Sequence, residues 1–177
     1  MSTRVGLGCY RLLVNCRRVL IWVLLLSGCS GSGGRAAEAP VTAEPLGDHE
    51  CGACGMIVRE EPSPRAQLVH RDGTHVWFCS MTDVVAYMGA PSPHGAVREV
   101  WVESLDVTVD PAADEAAARP WLRAADASYV LGITRERVMG QAVLSFASEA
   151  DATASAARLG GRVATWSEVV VALGGVP

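Results

Sequence analysis

The 177-residue sequence contains no lysine, only two phenylalanines, and no apolar run long enough to span a bilayer. A spanning helix needs about 20 apolar residues, and the longest run, Val19 to Leu26, falls well short. Catalytic signatures are missing too. There is no Gly-x-Ser-x-Gly, no phosphate-binding loop, no His-Glu-x-x-His and no dinucleotide fingerprint. Their absence favours a carrier over an enzyme. Acid is missing from the first 37 positions, whereas Arg4, Arg11, Arg17 and Arg18 give that end a positive charge.

What is present at that end is an export signal. A basic front, the apolar segment VLIWVLLL and then small residues match a secretory leader. Leu26-Ser27-Gly28-Cys29 resembles the lipobox of bacterial lipoproteins, in which small residues fit a protease cleft and the cysteine thiol takes the acyl chains. Residues 1–28 are therefore read as a signal peptide and Cys29 as the lipidated first residue, anchored at the periplasmic face of a membrane without spanning it. Ser30, where an aspartate would retain the protein at the inner membrane, favours the outer membrane by resemblance to Gram-negative sorting. Arg17-Arg18 sits in poor surroundings for twin-arginine export.

Removing the leader discards four of the 15 basic residues and none of the 19 acids, so the processed chain is four charges more negative than the full sequence at −4. That balance argues against nucleic acid and against docking on anionic lipid. Cys9 and Cys16 leave with the leader. With Cys29 lipidated, Cys51, Cys54 and Cys79 remain, an odd number for an exported protein.

Residues 30–48 are rich in Gly, Ala and Pro and bury too little to fold alone. Together with Cys29 they form the anchor and flexible linker, reaching roughly 24 Å as a coil. Two runs with the same order of parts follow. In residues 49–106, AQLVH (66–70) and HVWFC (75–79) read as strands about an Asp72-Gly73 turn, followed by a helix over 81–88 and a strand over 96–102. In residues 128–177, strands at 128–133 and 142–146 precede a helix over 149–159, which Gly160-Gly161 ends, and a last strand at 162–166. Residues 107–127, rich in Asp, Ala and Pro, read as a connector. The expected fold class is α+β, two consecutive ββαβ units. Phe78-x-Ser80-x-x-Asp83 recurs as Phe146-x-Ser148-x-x-Asp151, each serine an N-cap and each acid a partner for the helix dipole. That signature is structural, and neither aspartate is assigned a catalytic role.

The chemistry concentrates in His49-Glu-Cys51-Gly-Ala-Cys54-Gly-Met56. Cys-x-x-Cys alone fits a redox disulfide, half a zinc site or a soft-metal site. A zinc site wants a second close Cys or His pair, which is missing. A thiol–disulfide oxidoreductase wants the motif opening a helix after a strand. Met56 favours Cu(I), because thiolate and thioether sulfurs are soft donors. In an extended segment Cys54 and Met56 share a face, and Cys51 reaches the same point through a glycine-permitted turn. His49, His70, His75 and His94 are all open as a further ligand. Cys79 reads as a small buried hydrophobe.

Lipobox, tether, Cys-x-x-Cys-Gly-Met, Ala66-Gln67, Asp72-Gly73 and Phe78-x-Ser80-x-x-Asp83 occur in the order that resembles the NosL family. Trp121, Ala127 with Tyr129-Val130, Met139-Gly140, Phe146-x-Ser148 and Gly160-Gly161-x-Val163 extend the resemblance over nearly all of the processed chain. It implies a copper chaperone that binds Cu(I) and passes it, with a membrane transporter complex, toward the copper centres of nitrous oxide reductase. It also implies a fold akin to the ββαβ units of organomercurial lyase. The implied ligands are Cys54 and Met56 first, then Cys51, then Met139. Cys79 departs from the pattern, as a thiol where the family is expected to have none, able either to add a ligand or to misoxidise with Cys51 or Cys54. The alternatives to a chaperone are a periplasmic thiol–disulfide oxidoreductase using Cys51 and Cys54, and a non-catalytic lipoprotein scaffold.

Overall fold

The computed structural model describes residues 40–108, 117, 119–135, 138 and 140–176. The expected Cys29 anchor and Met139 lie outside them. Two antiparallel sheets carry the fold. In the first, β1 (Ala66–His70) lies between β2 (His75–Phe78) and β3 (Val97–Glu103), and β4 (Trp121–Arg123) extends it beyond β3. In the second, β5 (Ser128–Ile133) lies between β6 (Ala142–Phe146) and β7 (Arg162–Ala164). The orders β2-β1-β3 and β6-β5-β7 are the same, so the repeat read in the sequence is a repeat of topology. Helix α1 (Met81–Met88) follows β2, and α2 (Glu149–Leu159) follows β6, completing two ββαβ units.

Local chemistry explains these boundaries. β1 is buried at all five positions because it is central and both its faces are covered. The β1–β2 turn closes with Gly73 at φ +88°, while Asp72 Oδ1 accepts from the Thr74 amide at 2.9 Å. Ser80 and Ser148 cap their helices, accepting from the Asp83 and Asp151 amides at 3.1 Å each. Such a cap satisfies a donor that the helix leaves unpaired. Ser148→Ala is expected to cost about 1 kcal/mol, read as a lowered urea midpoint with unchanged slope.

The structure differs from the sequence reading in three places. The stretch before the second unit is more than a connector, since Trp121–Arg123 pairs with Trp101–Glu103 as β4. The last strand ends at Ala164, and a third helix, α3 (Trp166–Ala172), follows under a Thr165/Glu168 capping box. The end of the tether docks: Gln67 accepts from the Glu44 amide and donates to the Glu44 carbonyl, both at 2.9 Å, and Leu46 packs on the core.

One core crosses both units. Leu68, Phe78, Val84 and Val102 of the first pack in the same cluster as Tyr129, Leu131, Val143 and Val169. A smaller cluster around Val130, Leu144 and Phe146 lies under α2. Both phenylalanines are fully buried, each such side chain contributing about 1.5–3 kcal/mol. A buried ion pair within the first unit leads to a polar contact between the units. The Arg65 guanidinium forks onto Glu103 with Nε–Oε2 at 2.7 Å and Nη2–Oε1 at 2.8 Å, both side chains fully buried. The Glu103 carbonyl in turn accepts from the Ser145 hydroxyl at 2.5 Å.

Candidate metal centre

The Cys-x-x-Cys segment lies at the edge of the first sheet, ahead of β1 in the chain but beside β2 in space. Cys51 forms a parallel bridge with Trp77, and the Gly52 amide donates to the Trp77 carbonyl at 2.9 Å. The chain then doubles back. The Gly55 amide donates to the Cys51 carbonyl at 2.9 Å, and the Cys51 amide to the Met56 carbonyl at 2.8 Å. Two glycines permit this path. Gly55 has φ +77°, a left-handed conformation that other residues resist. At Gly52 a Cβ would lie 2.4 Å from Val76 Cγ1. Gly52→Ala is therefore expected to keep the fold but push the turn outward. The expected loss of metal affinity is roughly tenfold, the scale of losing a supporting contact around a ligand, measured by chelator competition.

Cys79 directly follows β2 and Asp83 stands in the first turn of α1, so the strand-to-helix corner brings both under the turn. The ligand atoms of Cys51, Cys54, Cys79 and Asp83 all lie within 4.8 Å of one another. Cys54 Sγ and Cys79 Sγ touch at 3.2 Å. The Cys79 thiol donates to Asp83 Oδ2 at 3.4 Å, and Cys51 Sγ is 3.8 Å from the same oxygen. Cys51 and Cys79 are buried while Cys54 is exposed, and all three are free thiols. The cluster thus has one open side.

Hydrogen bonding distributes the protons unevenly. Sulfur–sulfur hydrogen bonding with Cys79 lowers the Cys51 pKa to about 5 against the cost of burial. Cys79 is raised far above the ordinary thiol range, first by that bond and then by burial. Desolvation raises Cys54. Three clustered cysteine sulfurs make a soft site for a thiophilic cation, whose binding would displace the thiol protons.

Of the sequence candidates, the structure brings Cys51 and Cys54 together. The argument from an extended segment does not hold for Cys54 and Met56, because the chain turns at Gly55 between them. Met56 is half-buried and packs on the core that contains Cys51 and Cys79. Met139 is outside the described residues. No histidine among the described residues joins the cluster. His49 stacks on Trp77 at 3.6 Å, His70 is buried against the Gly95 carbonyl and Tyr87, His75 faces Gln67, and His94 pairs with Asp72.

The sequence marks Cys79 only as a thiol that could add a ligand and reads Asp83 only as a helix cap partner, yet both lie in the cluster. Cys79 is buried as expected but not inert. Asp83 is where a dipole partner should be, yet its carboxylate also faces two thiols. A signal for both lay in the repeat. The second copy has Ala147 at the position of Cys79, and there Asp151 accepts from Ser148 Oγ at 2.7 Å instead. The copies differ where only one carries chemistry.

Fold and cluster define the class, a two-unit α+β domain that presents clustered thiols suited to a soft metal ion. The chain belongs to the NosL family, whose model matches residues 42–173. It is 32% identical over 157 residues to the copper-binding lipoprotein NosL of Stutzerimonas stutzeri, covering 87% of this chain and 80% of that protein. It is also similar to the crystal structure of the copper chaperone NosL from Shewanella denitrificans, with a TM-score of 0.60 and 28% identity over 73% of this chain and 96% of that one.

Proposed function

We propose that this chain is a membrane-anchored copper chaperone of the periplasm that holds Cu(I) on sulfur and delivers it for assembly of the copper centres of nitrous oxide reductase. The observation that carries this reading is the group of three cysteine sulfurs and one carboxylate within 4.8 Å. The names of the relatives supply copper as the metal and chaperoning as the role. Cys51, Cys54 and Cys79 are the proposed primary ligands, with Asp83 beside them. Met56 and Met139 remain proposed thioether donors. In support of Met139, its neighbour Gly140 lies so close to Thr82, next to Asp83, that a Cβ there would be 2.6 Å from the threonine hydroxyl oxygen.

The proposed anchor is Cys29, with the outer membrane favoured by Ser30. The lipoprotein name of the S. stutzeri relative supports an anchored protein. No helix among the described residues is long and apolar enough to cross a membrane. The proposed partners are nitrous oxide reductase and its maturation transporter. The role is carrier rather than catalyst. A Cys-x-x-Cys that opens a helix suits an oxidoreductase, whereas this motif occupies a turn against a sheet edge. Sulfur ligands with one exposed member suit transfer by ligand exchange, the partner's donor entering beside Cys54.

Anaerobic titration of the reduced protein with Cu(I), in competition with a chromophoric chelator, should show one tightly held ion per chain. A chain that leaves all the copper on the chelator would overturn the proposal.

A further inference from the structure

The three thiols are not equivalent toward oxidation. Cys54 is exposed, so an incoming disulfide meets it first. Its sulfur touches Cys79 at 3.2 Å. A disulfide bond is about 2.0 Å long, so a further approach of about 1 Å joins them. Cys54 stands on the Gly52–Gly55 turn, whereas Cys51 is held by backbone hydrogen bonds to Met56 and from Gly52 to Trp77.

We infer that Cys54 and Cys79, not the Cys51–Cys54 pair of the motif, form a reversible disulfide that switches the metal site off. The switching half rests on the copper reading above. The oxidant is a disulfide donor, the class of reagent that an exported protein meets. Cys54, on giving up its proton, attacks one donor sulfur to form a mixed disulfide, and that proton leaves on the released donor thiol. The Cys79 sulfur then attacks the Cys54 sulfur and expels the second donor thiol. Two cysteine thiols lose two electrons and two protons, and the donor disulfide gains both, leaving as two thiols.

Closure would leave Cys51 as the one cysteine donor beside Asp83 and the proposed thioethers, too few thiolates to hold Cu(I) firmly. Bound Cu(I) in turn occupies the sulfurs that must attack. Loaded protein would therefore resist closure, while empty protein would be taken out of service until a dithiol reopens it.

The test uses the full chain in detergent, without oxygen. The reduced protein is exposed to oxidised glutathione, alkylated, digested and mapped by mass spectrometry. A Cys54–Cys79 peptide should dominate, with Cys51 alkylated, and the same link should form in Cys51→Ser. The oxidised chain should hold Cu(I) at least a hundredfold more weakly than the reduced one, recovering with dithiothreitol. Prior loading with one Cu(I) should slow closure at least tenfold. A dominant Cys51–Cys54 link, three alkylated thiols, or an oxidised chain that holds copper as the reduced chain does would each overturn the inference. A reduced chain that takes no copper overturns the copper reading and with it the switch, while the peptide map still decides which pair closes.

Discussion

Cys54→Ser is expected to lower Cu(I) affinity by at least about a hundredfold, equivalent to about 2.8 kcal/mol. Groups that merely support metal ligands cost 10- to 100-fold when lost, and a ligand should cost no less. Cys54 is the open side of the cluster, so its loss removes both a soft donor and the sulfur at which exchange begins. Serine keeps the size and replaces the sulfur with a hard oxygen. Cys79→Ser should fall in the same range, because its sulfur touches that of Cys54 and lies within 4.8 Å of that of Cys51. Asp83→Asn should cost about tenfold, since the carboxylate stands beside the thiols and its amide–serine cap survives. Chelator competition on each reduced variant measures all three. Cysteine variants that bind like wild type would sink the ligand assignment.

The largest effect on stability should come from Glu103→Ala. Removing one partner from a buried pair leaves a charge that water does not reach, at a cost of about 3–5 kcal/mol. Total stability of a domain is about 5–15 kcal/mol, so much of it would go. Arg65 would keep the Ser63 hydroxyl and the Arg59 and Ala117 carbonyls, but would lose the carboxylate that takes its fork. Urea unfolding followed by tryptophan fluorescence measures the loss. The double change Arg65→Met/Glu103→Leu should cost far less, because no charge is left buried. A Glu103→Ala variant within 1 kcal/mol of wild type would show that the pair does not carry the stability its burial implies.

The repeat was legible because it is written in local chemistry. Serine caps, an Asp-Gly turn and alternation from polar to apolar placed six strands and two helices near their observed bounds. α3 was lost because Arg162 to Trp166 was read through to its tryptophan as one strand, masking the Thr165/Glu168 cap. β4 was lost because three residues carry too little periodicity to stand out from an alanine- and proline-rich stretch. At the site, adjacency in sequence put Cys51 and Cys54 in one short segment, but the extended geometry expected for Cys54 and Met56 gives way to a turn at the left-handed Gly55. Cys79 and Asp83 reach the cluster by tertiary folding across the β2–α1 corner, and comparison of the two copies adds to the odd cysteine count in marking the first of them as unusual.

The clasp of Gln67 on the backbone of Glu44 has a mechanical meaning. Gln67 belongs to a central strand, braced by β2 and β3 on either side. A tug on the chain ahead of Glu44 is therefore borne by the sheet, through two hydrogen bonds, before it reaches Cys51. With the proposed anchor at Cys29 and the proposed copper site, the clasp is a strain relief between leash and cargo, so a pull at the anchor would not work the metal loose.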